Sequence, residues 1–246
     1  MKRNYSVFLF TVLLIFFQSV GILAGPPFLT DDPEPVDFKH WEFYLASSIQ
    51  FDKSQSDATL PHIEVNYGAV PNLQLHIIVP MEYSRTDNSN VYGFSNMEIG
   101  AKYRFLQETD NLPQIGIFPL VILPTGDKSK NLGIEKAQIY LPVWLQKSWG
   151  KLTTYGGFGY WYNPGAGNRN WIFSGWEVQY DFSETITLGG EVYYQTADAV
   201  DSKALTGFNI GGFINLDEHN HLLYSIGKTS STNNASTAYI GYQLTI

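Results

Sequence analysis

The segment Asn96–Phe105 (NMEIGAKYRF) leaves fewer folds open than any other part of this chain. Met97, Ile99, Ala101, Tyr103 and Phe105 fall on one phase of a two-residue period, and Asn96, Glu98, Gly100, Lys102 and Arg104 on the other. A period of two belongs to a β-strand, whose successive side chains point to opposite faces. One face here is apolar throughout and the other carries three charges. Turning a Lys or Arg toward hydrocarbon costs roughly 2–4 kcal/mol near a bilayer midplane. If the apolar face meets lipid, the charged face must look into a wet or internally paired lumen.

The same grammar runs along the chain. In His40–Phe51, Trp41, Phe43, Leu45, Ile49 and Phe51 alternate with a set that includes His40, Glu42, Ser48 and Gln50. Ile63, Val65 and Tyr67 alternate with His62, Glu64 and Asn66. Beyond a turn at Gly68–Asn72, Leu73 to Tyr83 alternate with Gln74, His76, Glu82 and Ser84. Residues 113–124 are apolar on both faces, which suits a strand whose inner side is packed. Further segments follow at 136–148, 152–162, 171–180, 186–196, 204–216, 221–228 and 236–246. The expected fold is all-β: an antiparallel transmembrane β-barrel of twelve strands.

The connections alternate in length. Stretches 52–60, 85–93, 125–134, 163–170, 197–203 and 229–235 are longer and polar, and 69–72, 106–112, 149–151, 181–185 and 217–220 tend to be shorter. Short turns on one side, long loops on the other and an even strand number belong together in outer-membrane barrels. Ten or fourteen strands would satisfy the same rule, so evenness is more strongly constrained than the count.

The N-terminus gives an address. Lys2 and Arg3 precede the apolar run Val7–Phe17, which gives way to small residues near Ala24, the order of a cleaved signal peptide. The expected division is 1–24 signal peptide, 25–37 a Pro-rich periplasmic lead-in and 38–246 the barrel, exported to the bacterial outer membrane. Charged residues make up 15% of the chain, against about 25% in soluble domains. A net charge of −8 argues against nucleic acid as a partner. The absence of cysteine removes thiolate catalysis and thiolate metal sites.

The candidate site is the inner face of the early strands. Glu42, His62, Glu64, His76, Glu82, Glu98, Lys102 and Arg104 are expected to line the lumen, with Glu64 opposite His76 across the first tight turn. Such a lining can serve a solute, fill a narrow barrel with internal ion pairs, or do both. Neither GxSxG nor GxGxxG occurs, and His219 and His221 lie in or beside a turn, so no enzyme, cofactor or metal site is expected. Trp41, Tyr67, Trp149, Tyr160, Trp161, Tyr162, Trp171 and Trp176 sit near strand ends, as interfacial girdles do, the alternative being a platform on which sugars stack. Tyr239, Gly241, Leu244 and Ile246 resemble the C-terminal signal read by the outer-membrane assembly machinery, with Ile246 where Phe or Trp is usual.

The runs GPPFLTDDPEP, HWEFYLAS, PHIEVNYGAVPNLQLHIIVP, ILPTGD, LPVWLQKSWG and YWYNPGAGNRNW together resemble a family of outer-membrane putative transporters related to the phenol-degradation MetA-pathway proteins. The resemblance spans nearly all of the chain after residue 24. It implies a porin-like barrel in contact with outer-membrane lipid, taking up a small organic, in particular aromatic, solute. It supplies no site residues. The alternatives to be separated from it are a barrel enzyme acting on lipid or peptide and a soluble periplasmic ligand-binding barrel.

Overall fold

A computed structural model describes residues 26–53, 55–87, 89–230 and 234–246. The expected signal peptide lies outside the described residues. Within them the chain is a closed antiparallel barrel of twelve strands. In chain order these are β1 Trp41–Phe51, β2 Gln55–Val70, β3 Leu73–Thr86, β4 in two pieces (Ser89–Phe94 and Glu98–Leu106) and β5 in two pieces (Gln114–Ile117 and Leu120–Ile122). They continue with β6 Gln138–Trp149, β7 Leu152–Tyr162, β8 Trp171–Asp181, β9 Ile186–Gln195, β10 Leu205–Asn215, β11 Asn220–Thr229 and β12 Ser236–Thr245.

Both pieces of β4 pair with β3, and both pieces of β5 pair with β6, so each interrupted pair counts once around the circumference. The break in β5 falls at Phe118-Pro119, where proline has no N–H for the ladder. Closure is made by β1 against β12, from Glu42 opposite Thr245 to Phe51 opposite Ser236. Trp41 and Ile246 then exchange backbone hydrogen bonds at the rim. A closed sheet has no unpaired edge, which hydrocarbon would not tolerate.

Alternation sorts the side chains as the sequence implies. Outward residues such as Leu45, Leu141, Val192, Ile210 and Ile240 are exposed, while their inward neighbours Glu64, Gln146, Glu177, Gln179 and Gln243 are buried. This is a protein with its apolar side outside, inverted relative to a water-soluble domain.

Connections 71–72, 150–151, 182–185 and 216–219 are short and share one rim with 107–113. Two expected loops at the opposite rim are instead strand. β2 begins at Gln55 and β4 at Ser89, leaving connections of only 52–54 and 87–88. Gln55–Thr59 and Ser89–Val91 lie at the ends of long hairpins, where no alternation marks a buried face, so their pairing left no hydrophobic pattern to read. Leu60-Pro61 fits as a bulge between Thr59 and His62 in the β2–β3 ladder.

Segment 26–37 is not the periplasmic lead-in expected of it. It enters the barrel, where Phe28, Thr30 and Asp32 are buried, and rejoins the wall where Phe38 bridges Gly68. Its proline content bars it from the sheet ladder, so its buried N–H and C=O groups must find partners elsewhere. Inward-facing side chains supply them.

Candidate functional site

The wall grips this internal segment, hereafter the plug, from nearly every side. Ser225 of β11 donates to the carbonyl of Pro27 at 2.7 Å. The Glu191 carboxylate of β9 accepts the backbone N–H groups of Leu29 and Thr30 at 2.9 and 2.8 Å, and Asn209 of β10 holds it in place. Gln74 of β3 accepts the N–H of Val36 at 2.9 Å. The wall therefore reads the plug's backbone near both of its ends.

Its acidic middle is read by charge. Lys102 of β4 lies 2.9 Å from Asp31 and 3.3 Å from Asp32, with its ammonium 5.1 Å from the centre of the Phe118 ring. Glu34 meets three donors: Arg104 at 3.4 Å on one oxygen, and the side-chain amides of Gln114 and Gln146, each at 3.1 Å, on the other. Arg104 is itself fixed by Asn72, which accepts from Nε and Nη2, and by the Gln114 carbonyl at 2.9 Å. Gly175 and Gly116 leave room for the plug; a Cβ at Gly175 would come within 2.1 Å of the Thr30 hydroxyl.

All eight expected lining residues belong to the inward phase of their strands, and Glu42, His62, Glu64, His76 and Lys102 are buried. They form smaller sets rather than one cluster. His76 bridges Glu98 at 3.0 Å and the Asn66 carbonyl at 2.7 Å, and Asn66 donates to Glu64 at 2.8 Å. Glu42 accepts from Tyr44 at 2.8 Å, His62 is bonded to Thr59 at 2.8 Å, and Glu82 accepts from Ser95. The register differs from expectation by one inward position. Asn66, not Glu64, stands opposite His76, because the turn falls at 71–72 and centres the hairpin on residue 71, one beyond Val70. Glu64 remains 3.6 Å from the imidazole.

The other half of the wall is aromatic. Phe118, Leu120, Tyr140, Trp144, Phe173 and Tyr193 form a buried cluster, with Trp161, Trp171 and Leu205 packed against it. Tyr140 stacks on Trp161 at 4.5 Å between ring centres, and Trp161 on Trp171 at 4.9 Å. Trp161 and Trp171 are thus not the girdle residues expected from their place near a loop. Their phase turns them inward, whereas Trp149, Tyr160, Tyr162 and Trp176 are exposed on the outside as expected. Phe118 joins the two halves, since its ring also meets His76 edge-on at 5.1 Å.

Several lumen residues were not among the expected lining. Asp31, Asp32 and Glu34 lie in a segment without periodicity. Gln114, Gln146, Glu177 and Glu191 occupy the inward phase of later strands, so the alternation would have found them had it been followed past β4. Among the described residues no group of three or more His, Cys, Asp or Glu side chains is placed to hold a metal ion.

No family model matches the chain, and no curated protein matches it. Solved structures do match in fold. An outer-membrane channel of the COG4313 group from Pseudomonas putida F1 superposes with a TM-score of 0.69 at 14% identity, over 87% of this chain and 98% of that one. The KdgM porin, solved in complex with disordered oligogalacturonate, gives 0.56 at 11% identity over 82% and 98%. CymD, a monoaromatic hydrocarbon channel, gives 0.52 at 8% identity over 85% and 88%. Each is described as a channel or porin. At these identities the likeness is one of fold.

Proposed function

We propose that this chain is a channel of the bacterial outer membrane for passive or facilitated uptake of a small organic solute, exported by a cleaved signal peptide and closed in this conformation by its plug. The observation that carries the reading is the inversion of the barrel: an apolar exterior around an interior lined with Glu, Gln, Asn, His, Lys and Arg. Such a wall is stable only with lipid outside, and a polar interior is how barrels pass polar matter. The architecture shared with proteins described as outer-membrane channels supports it.

An aromatic solute is the finer part of the proposal. The cluster around Tyr140, Trp144 and Phe173 supports it by presenting apolar surface inside the barrel, as does the resemblance to phenol-degradation outer-membrane proteins. Assembly through the C-terminal signal is proposed on the same footing, with Leu244 and Ile246 on the outward phase of the closing strand and its extension.

Cell fractionation and planar-bilayer conductance test the reading together. The protein should be recovered with outer membranes and need detergent for release. A variant with a loosened plug should conduct ions. Recovery in the soluble periplasm would refute the membrane reading, and silent bilayers for every plug variant would refute the channel.

A further inference from the structure

The contacts that hold Glu34 are more than a latch. Three donors from three adjacent strands converge on one carboxylate: Arg104 on β4, Gln114 on β5 and Gln146 on β6. The two glutamines are almost wholly buried, at 3% and 2% exposure. Their backbones belong to the wall, so they stay in place wherever the plug goes. Arg104 also keeps its geometry without the plug, because Asn72 and Gln114 hold the guanidinium from the wall side. One pair along the same strand, Lys102 presents a second cation, anchored to the plug through Asp31 and Asp32. The barrel therefore contains a preformed carboxylate receptor whose present occupant comes from a segment outside the sheet.

Among the described residues, moving the plug away would leave Lys102 without its two carboxylate partners and Arg104 without its only one. A buried or half-buried charge stripped of its partner is costly, so an open lumen calls for another anion there. We propose that Arg104, Gln114, Gln146 and Lys102 form the solute site, that the solute is a small organic anion bearing a carboxylate, and that it binds in competition with Glu34 and Asp31. This rests on the channel reading and adds to it a solute class and a reason for the acidic plug, whose side chains occupy the place of the solute. The Phe118 ring under Lys102 supplies an apolar floor beside the charge, suited to a carboxylate attached to an apolar body.

Sodium benzoate is the probe, with sodium chloride at equal ionic strength and uncharged benzyl alcohol as controls, used on the full chain. Binding is read by equilibrium dialysis of labelled benzoate and opening by planar-bilayer conductance. Glu34→Gln weakens the competitor but not the receptor, so it should lower the half-saturating benzoate concentration. Arg104→Gln weakens plug and solute alike, so it is read in a Glu34→Ala background, where the plug no longer draws on Arg104, Gln114 or Gln146. There it should still conduct in chloride, yet need at least about tenfold more benzoate than Glu34→Ala alone, the loss of one charge-assisted contact. Gln146→Leu in the same background should show the same rise if the Arg104→Gln variant does not fold.

Half-saturation unchanged when Arg104→Gln and Gln146→Leu are each added to Glu34→Ala would overturn the site, and so would an equal response to benzyl alcohol or chloride. If the variants conduct without responding to benzoate, this inference fails and the channel stands. If no variant conducts, the channel fails, and dialysis alone decides whether the receptor takes a carboxylate.

Discussion

Glu191 is the place where the docking of the plug can be weighed most directly. Its carboxylate is 2% exposed and accepts two consecutive backbone N–H groups, of Leu29 on one oxygen and Thr30 on the other. Glu191→Gln keeps the shape but replaces one acceptor oxygen with an NH2 group. One of the two N–H groups then faces a donor and goes unsatisfied, and the remaining bond loses its charge assistance. A buried unsatisfied N–H costs about 1–3 kcal/mol, and the ionic share of the other bond adds about 1 kcal/mol. Docking should weaken by about 2–4 kcal/mol, which multiplies the undocked population by about 30 to 700. The chain has no cysteine, so Thr30→Cys gives a single reporter at a fully buried position whose hydroxyl has no side-chain or backbone partner. Maleimide labelling of that thiol in detergent should accelerate by the same factor when Glu191→Gln is added, provided docking is fast relative to labelling. Rates within twofold of each other would mean that Glu191 does not hold the plug, and the account of docking given above would be wrong.

Ile210 lies mid-strand on the outer face, 62% exposed, and Ile210→Lys should lower stability against urea in lipid vesicles by about 2–4 kcal/mol; in a water-soluble protein an exposed change of this kind stays within about 0.5 kcal/mol, and a neutral result would speak against lipid on that face. A Cβ at Gly68 would come within 1.9 Å of the Asp37 carbonyl, so Gly68→Ala should push the end of the plug off the wall and speed tryptic cleavage after Lys39, whereas an unchanged rate would show that the contact yields freely. At the 216–219 turn, Asp217 accepts from the N–H groups of His219 and Asn220, each at 2.9 Å, and these bonds hold its carboxyl below the usual carboxylate range. A depressed value means that the turn gains stability above the ordinary carboxylate pKa and loses it as pH falls through the lowered one; amide exchange at 219 and 220 should accelerate across that acid window, and a flat profile would contradict it.

The barrel was legible because lipid imposes a simple rule on each strand. Residues 96–105 alternate without a fault, and Glu98, Lys102 and Arg104 all turn inward as the cost of charge in hydrocarbon demands. The rule weakens wherever its cause is absent. Gln55–Thr59 gave no alternation to read, so this paired stretch read as loop. Trp161 and Trp171 show the opposite failure. Proximity to a loop suggested the interface, but phase decides the direction of a side chain, and both rings stack inward on Tyr140. The exact partner across a hairpin is finer still. A hairpin centre one residue beyond Val70 was enough to give His76 Asn66 in place of Glu64 as its direct neighbour.

The plug was hidden for a different reason. Its residues form no helix and no ladder, so neither period marks them, and prolines with acids look the same in a solvated linker as in an occupied lumen. What distinguishes the two is the complement on the wall. Lys102 and Arg104 stood out as cations that needed partners, and the inner face of β1 to β4 offered Glu42, Glu64, Glu82 and Glu98 for the purpose. Those acids are instead engaged locally, by Tyr44, Asn66, Ser95 and His76. Two inward cations left over from a set whose acids already have neutral or imidazole partners imply an anion from outside the sheet. The chain holds such anions just ahead of β1, in the DDPE run of 31–34. Matching unspent charge on the wall against unspent charge in an aperiodic segment is therefore a way to find a plug where periodicity is silent, and it places the partner at Lys102 and Arg104, where the barrel meets it.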